Sequence, residues 1–125
     1  MNMALARRAV ELDPLSMRAH GVLGSIAYSA GRLEEAVAAI KKALELNPEY
    51  PGAHTLLGKV YLAQGHPQES LAEMEREPEP TYHLQGLSLA YHALGRKKES
   101  DADLAEYVAK YNTAGAFQIA EVYAF

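Results

Sequence analysis

Apolar and polar positions alternate along this chain with a helical period. Leu57 and Tyr61, Leu87 and Tyr91, and Ile119 and Tyr123 each stand four residues apart, which stacks Leu and Tyr on one helical stripe. Glycines punctuate the stripe in the phrases Tyr28-Ser-Ala-Gly31-Arg, Tyr61-Leu-Ala-Gln-Gly65 and Tyr91-His-Ala-Leu-Gly95-Arg. A glycine just past a helical run supplies the left-handed residue on which helices commonly end. Leu-Asp-Pro at 12–14 and Leu-Asn-Pro at 46–48 stop the next run, because proline lacks the amide a helix interior needs. The pattern predicts helices near 3–12, 16–30, 33–46, 50–64, 67–76, 81–94, 97–111 and 113–125, with no strand.

The punctuation is periodic. Gly31, Gly65 and Gly95 stand 34 and 30 residues apart, and Pro14 and Pro48 stand 34 apart. A fixed period of this size is the signature of a repeat array, in which each unit buries its apolar face only against its neighbours. Small residues recur beside the large apolar position: Gly24 after Leu23, Gly58 after Leu57, Ser88 after Leu87 and Ala120 after Ile119. Helices approach closely only where a side chain is tiny, so these positions are expected to mark close crossings.

With these residues in register, the chain resembles the tetratricopeptide repeat, a 34-residue helix–turn–helix unit. The family's large apolar slot holds Leu23, Leu57, Leu87 and Ile119, and its aromatic slot holds Ala27, Tyr61, Tyr91 and Tyr123. Its tryptophan slot holds His20, His54, Leu84 and Ala116, so that feature is absent. The resemblance implies an all-α fold: a right-handed superhelix, or α-solenoid, of antiparallel helix pairs. A half repeat would occupy 1–16, full repeats 17–50, 51–80 and 81–112, and a second half repeat 113–125. Half repeats at both ends imply a stretch of a longer, bacterial array. The second repeat is four residues short, and the loss falls at Glu77-Pro78-Glu79-Pro80, where two prolines forbid a helix. Glu77 stands there in a slot the family usually fills with alanine.

Composition changes the picture little. The 125 residues are 49% apolar and 22% charged, with no cysteine, which excludes disulfides and thiolate chemistry. Twenty-two alanines and sixteen leucines favour helix. The net charge of −4 argues against nucleic acid as partner. Five glutamates against one arginine between His66 and Pro80 carry that excess, and they read as a solvated acidic ridge. No targeting segment and no run long enough to span a membrane is visible, so the expected setting is cytoplasmic, away from membranes.

Candidate chemistry is sparse. The five histidines form no His-x-x-x-His pair, and His20 and His54 share one repeat slot, which reads as packing. No serine lies in a Gly-x-Ser-x-Gly elbow, and no glycine-rich loop would cradle phosphate. No enzyme activity, cofactor or metal is expected. The resemblance places function in a concave groove lined by the first helix of each pair. Its groove slots carry Arg18, Gly21, Ser25 and Tyr28, then Thr55, Lys59 and Leu62, then Tyr82, Gln85, Leu89 and His92, with Phe117 and Glu121 beyond. Tyr and Arg are good anchors, with Leu62 and Leu89 as apolar floor, and Lys59, Tyr82 and His92 are expected to face one concavity. The slots with which some members clamp a chaperone's terminal carboxylate read Gly21, Ser25, Leu56, Tyr82 and Gly86, so that clamp is missing. The expected function is a scaffold binding a protein or peptide. The alternative is self-assembly, with Leu5, Val10 and Leu12 of one copy against Phe117, Ile119, Tyr123 and Phe125 of another to complete a composite repeat.

Overall fold

The computed structural model describes residues 2–111. Among these residues seven helices follow one another: α1 (Met3–Leu12), α2 (Met17–Ser29), α3 (Leu33–Leu46), α4 (Ala53–Ala63), α5 (Pro67–Glu75), α6 (Pro80–Ala93) and α7 (Lys97–Tyr111). No strand occurs among the described residues. The half repeat expected at 113–125, with Phe117, Ile119, Glu121, Tyr123 and Phe125, lies outside them.

Within each full repeat the two helices are joined by three residues, so they can only fold back antiparallel. The joint is the same each time. Gly31, Gly65 and Gly95 have φ of 76°, 81° and 74°, a region open to glycine without strain. The reversed chain then bonds back across the helix end: the amides of Arg32, His66 and Arg96 donate to the carbonyls of Ala27, Tyr61 and Tyr91, each at 2.8 Å. The starts of α1, α2 and α6 are capped by the side chain of the preceding residue. Asn2 and Ser16 accept from the amides of Leu5 (2.9 Å) and Ala19 (3.1 Å), and Glu79 accepts from that of Tyr82 (2.9 Å).

Packing follows the small positions. A methyl group built on Gly24 would sit 2.5 Å from Ile40 Cγ1, and one on Gly58 would sit 2.7 Å from Met74 Cγ and 3.2 Å from the Ser70 carbonyl. These are close crossings of α2 on α3 and α4 on α5, and Ser88 is buried at the corresponding position of α6. Ile40, Leu57 and Val60 anchor one apolar cluster with Ala27, Ala36 and Ala53. Leu71, Met74, Leu87, Leu89 and Ala90 form the next. Each large side chain so buried contributes about 1.5–3 kcal/mol of transfer free energy.

Four expectations need correction. α4 begins at Ala53 rather than near 50, because Pro51-Gly52 makes a turn in which Gly52 adopts φ 84°. The Tyr61 ring is half-buried at the edge of its cluster, not fully inside it. Val10 faces inward, packed on Ala6, Leu23 and Ala39, while Leu5 and Leu12 point to solvent. The acidic stretch is not wholly solvated: Glu77 is only 4% exposed and Glu73 is half-buried against His54.

Candidate functional site

Two clefts flank α4. The first lies on the side where α2, α4 and α6 present their groove slots, and has a volume of about 260 Å³. Gly21 and Ser25 of α2 form one wall. Ala53, Thr55, Leu56 and Lys59 of α4 form the floor, with Ile40 and Ala43 of α3 behind them. Tyr50, Pro51 and Gly52, in the connection ahead of α4, join Tyr82 at the start of α6 to close it. Among the described residues, Lys59 is the only charged side chain in this lining, and no carboxylate is part of it.

The two tyrosines are seated on glycines. A methyl group on Gly21 would come 3.0 Å from the Tyr50 hydroxyl oxygen, and one on Gly52 would come 3.3 Å from Tyr82 Cε2. The rings therefore lie almost on the backbone, which gives the cleft flat aromatic walls. Tyr82 remains 42% exposed, so its ring is available to a partner. Its backbone is fixed: the carbonyl accepts from the Thr55 hydroxyl at 3.0 Å and the amide donates to Glu79 Oε2 at 2.9 Å.

Behind this wall lies a capping arrangement contributed from beyond α5. The N-cap residue of α4 is Gly52, which has no side chain to accept the first-turn amides. Glu77 supplies the acceptor: its Oε2 accepts from the Gly52 amide at 2.9 Å and its Oε1 from the Thr55 amide at 3.1 Å. A carboxylate at a helix N-terminus also meets the positive end of the helix dipole.

The second cleft, of about 410 Å³, opens on the other side of α4, between α3 and α5. Lys41, Glu45, His54, Glu73 and Arg76 line it with Leu44, Leu57 and Tyr61. Its carboxylates are answered within the chain. His54 Nδ1 lies 2.8 Å from Glu73 Oε2, Arg76 reaches the other Glu73 oxygen at 3.7 Å, and Lys42 reaches Glu45 at 3.7 Å. The lining of this cleft carries both signs of charge, and among the described residues that of the first carries Lys59 as its one charged side chain. Among the described residues, no group of three or more histidines and carboxylates converges as a metal site.

Of the residues expected in the groove, Gly21, Ser25, Thr55, Lys59 and Tyr82 share the first cleft. Arg18 is exposed one turn before Gly21 on the same helix face, outside the lining. Tyr28 and Leu62 are half-buried against the core clusters. His92 is exposed on the last turn of α6 and does not share the cleft with Lys59 and Tyr82. Gln85 and Leu89 need correction as groove contacts, because both are buried and neither lines the cleft; Thr55 is buried too, in the cleft's floor. The Thr55 hydroxyl is committed to Tyr82, and Leu89, 1% exposed, belongs to the core with Met74 rather than to an open apolar floor.

Sequence reasoning missed Tyr50, Gly52 and Glu77. Tyr50 and Gly52 fall in the connection ahead of α4, where the sequence pattern predicts the start of a helix. Glu77 reads in sequence as one more solvated carboxylate among five. Its signal is its place in a slot usually filled by a small residue, where a longer side chain must find room and partners.

Residues 24–65 match the family model described as TPR repeat. Solved structures with the same fold include a thermophilic TPR protein of Thermus thermophilus. It has a TM-score of 0.79 and 21% identity, over 98% of this chain and 72% of that one. MamA superposes with a TM-score of 0.74 and 26% identity, over 86% of this chain and 66% of that one. YrrB, a TPR protein described as having an unusual peptide-binding site, gives 0.72 and 22%, over 94% of this chain and 63% of that one. No curated protein matches the chain.

Proposed function

We propose that this chain, whose residues 24–65 match the TPR repeat model and whose fold is that of solved TPR proteins, binds an extended, acidic segment of a partner protein in its concave cleft, without catalysis. The observation that carries this reading is the make-up of that cleft. Among the described residues, Lys59 is its sole charged lining residue, between aromatic walls at Tyr50 and Tyr82. A partner carboxylate approaching Lys59 meets no lining carboxylate to repel it, and flat rings give apolar contact at low entropic cost. Arg18, further along the same face of α2, extends the positive character beyond the cleft. The peptide-binding site of YrrB, a protein of the same fold, supports placing a peptide on this kind of scaffold.

The experiment is peptide selection followed by substitution. A twelve-residue peptide library is displayed, and the peptides retained by the chain are sequenced. Enriched peptides should be rich in Asp and Glu. Lys59→Ala and Tyr82→Ala should each weaken the tightest peptide about tenfold or more, as central anchors do, with the melting temperature little changed. Binding that survives both substitutions would move the contact surface elsewhere.

A second reading is self-association through α1. It is favoured by one observation: Leu5, Leu12, Leu15 and Met17 are 58%, 70%, 78% and 40% exposed around α1 and the start of α2. In this reading Leu5 and Leu12 meet Phe117, Ile119, Tyr123 and Phe125 of a second copy.

A further inference from the structure

We infer that Glu77 is a positioning residue for the partner-binding cleft: its buried carboxylate ties the start of α4 to the start of α6 and so holds Tyr82 in place as the cleft's wall. The inference rests on the reading of the cleft given above, but its structural half is testable without a partner.

Three amides converge on this one carboxylate. Gly52 and Thr55 donate from the start of α4, and Glu79 donates from the connection ahead of α6, at 3.1 Å to Oε2. The bonds continue from there. Glu79 accepts from the Tyr82 amide, and the Thr55 hydroxyl donates to the Tyr82 carbonyl. Tyr82 is thus held at both its amide and its carbonyl, and each holding residue is itself bonded to Glu77. The ring itself is exposed on one side and rests on Gly52 on the other.

A carboxylate suits this position better than other side chains. Two oxygens serve three donors, and a charge-assisted bond to an amide is stronger than a neutral one. The amide of glutamine offers a single acceptor oxygen and would leave at least one of these donors without its partner. The flanking Pro78 and Pro80 carry no amide hydrogen, so the connection adds no further donors that would need an acceptor.

The test uses the full chain carrying Glu77→Gln, with Glu75→Gln, an exposed carboxylate on α5, as control. Without any partner, the nuclear Overhauser contact between the Tyr82 ring and the Gly52 α-protons should be present in the wild type and the control. It should be lost or strongly weakened in Glu77→Gln. The binding probe is the tightest acidic peptide from the library, carrying fluorescein. Glu77→Gln should weaken it about tenfold when Tyr82 is present and less than about twofold in a Tyr82→Ala background, because its effect passes through that ring. Thr55→Val, which removes only the hydroxyl bond to Tyr82, should act in the same direction and guards against a Glu77 variant that fails to fold. An unaltered Tyr82–Gly52 contact in Glu77→Gln, or an equal loss of affinity in both backgrounds, overturns the inference. A library that returns no peptide sensitive to Lys59→Ala overturns the reading of the cleft instead; the Overhauser measurement then still decides the role of Glu77.

Discussion

A single methyl group is the finest unit on which this architecture depends. Gly58 faces Met74, which is wholly buried, and the Ser70 carbonyl, which is backbone and cannot swing aside. Gly58→Leu should therefore destabilise the chain by about 1–3 kcal/mol through overpacking, read as a lowered midpoint in urea. An unchanged midpoint would mean that α4 and α5 do not cross at this residue. Tyr61→Ala should cost about 1.5–2.5 kcal/mol, roughly half of a full core aromatic deletion, because the ring is only half-buried. The close crossing at Gly58 was legible in the sequence because the constraint is local: a small residue beside a leucine, repeated in register, has one physical explanation. Burial of Thr55, Gln85 and Leu89 was not legible. The slot on a helix gives the direction of a side chain, whereas burial depends on what the neighbouring elements bring to that side.

At the scale of elements, the turns and caps were written plainly, and the links between distant elements were not. Gly31, Gly65 and Gly95 announce their joints by spacing alone. Nothing in the spacing announces that Glu77 caps α4 or that Arg7 of α1 grips Glu35 of α3. The latter pair is bidentate, with Arg7 Nε and Nη2 donating to the two Glu35 oxygens, each at 2.8 Å. The hydrogen bond from Arg7, with its positive charge, holds the Glu35 carboxyl below the ordinary value of 4.5, and the same bond raises the Arg7 guanidinium. A carboxyl depressed in the folded chain favours folding above its unfolded value, and that contribution is lost as the pH falls through the folded one. Arg7→Ala should bring the Glu35 titration, followed by carbon-13 shifts, back up toward 4.5 and remove this part of the acid dependence. A Glu35 midpoint that does not move would show that α1 is not held to α3 by this pair in solution.

Across the whole molecule, the repeats create two kinds of surface, and charge separates them. The second cleft mixes charges of both signs, with His54 and Arg76 around Glu73. The first cleft combines one cation with aromatic walls, which favours a partner that brings negative charge. The exposed leucines of α1 set the competing expectation of self-association. Leu5→Glu with Leu12→Glu should then lower the weight-average mass in sedimentation at high concentration; a mass equal to the monomer before any substitution removes that reading. The central claim, that the cleft beside Lys59 and Tyr82 is the partner-binding surface, is tested most directly by panning an unbiased peptide library on the wild-type chain and on a Lys59→Glu, Tyr82→Ala double variant in parallel. The account predicts acidic peptides enriched on the wild type and lost on the double variant. Peptides retained equally by both, or enriched without acidic character, would contradict it.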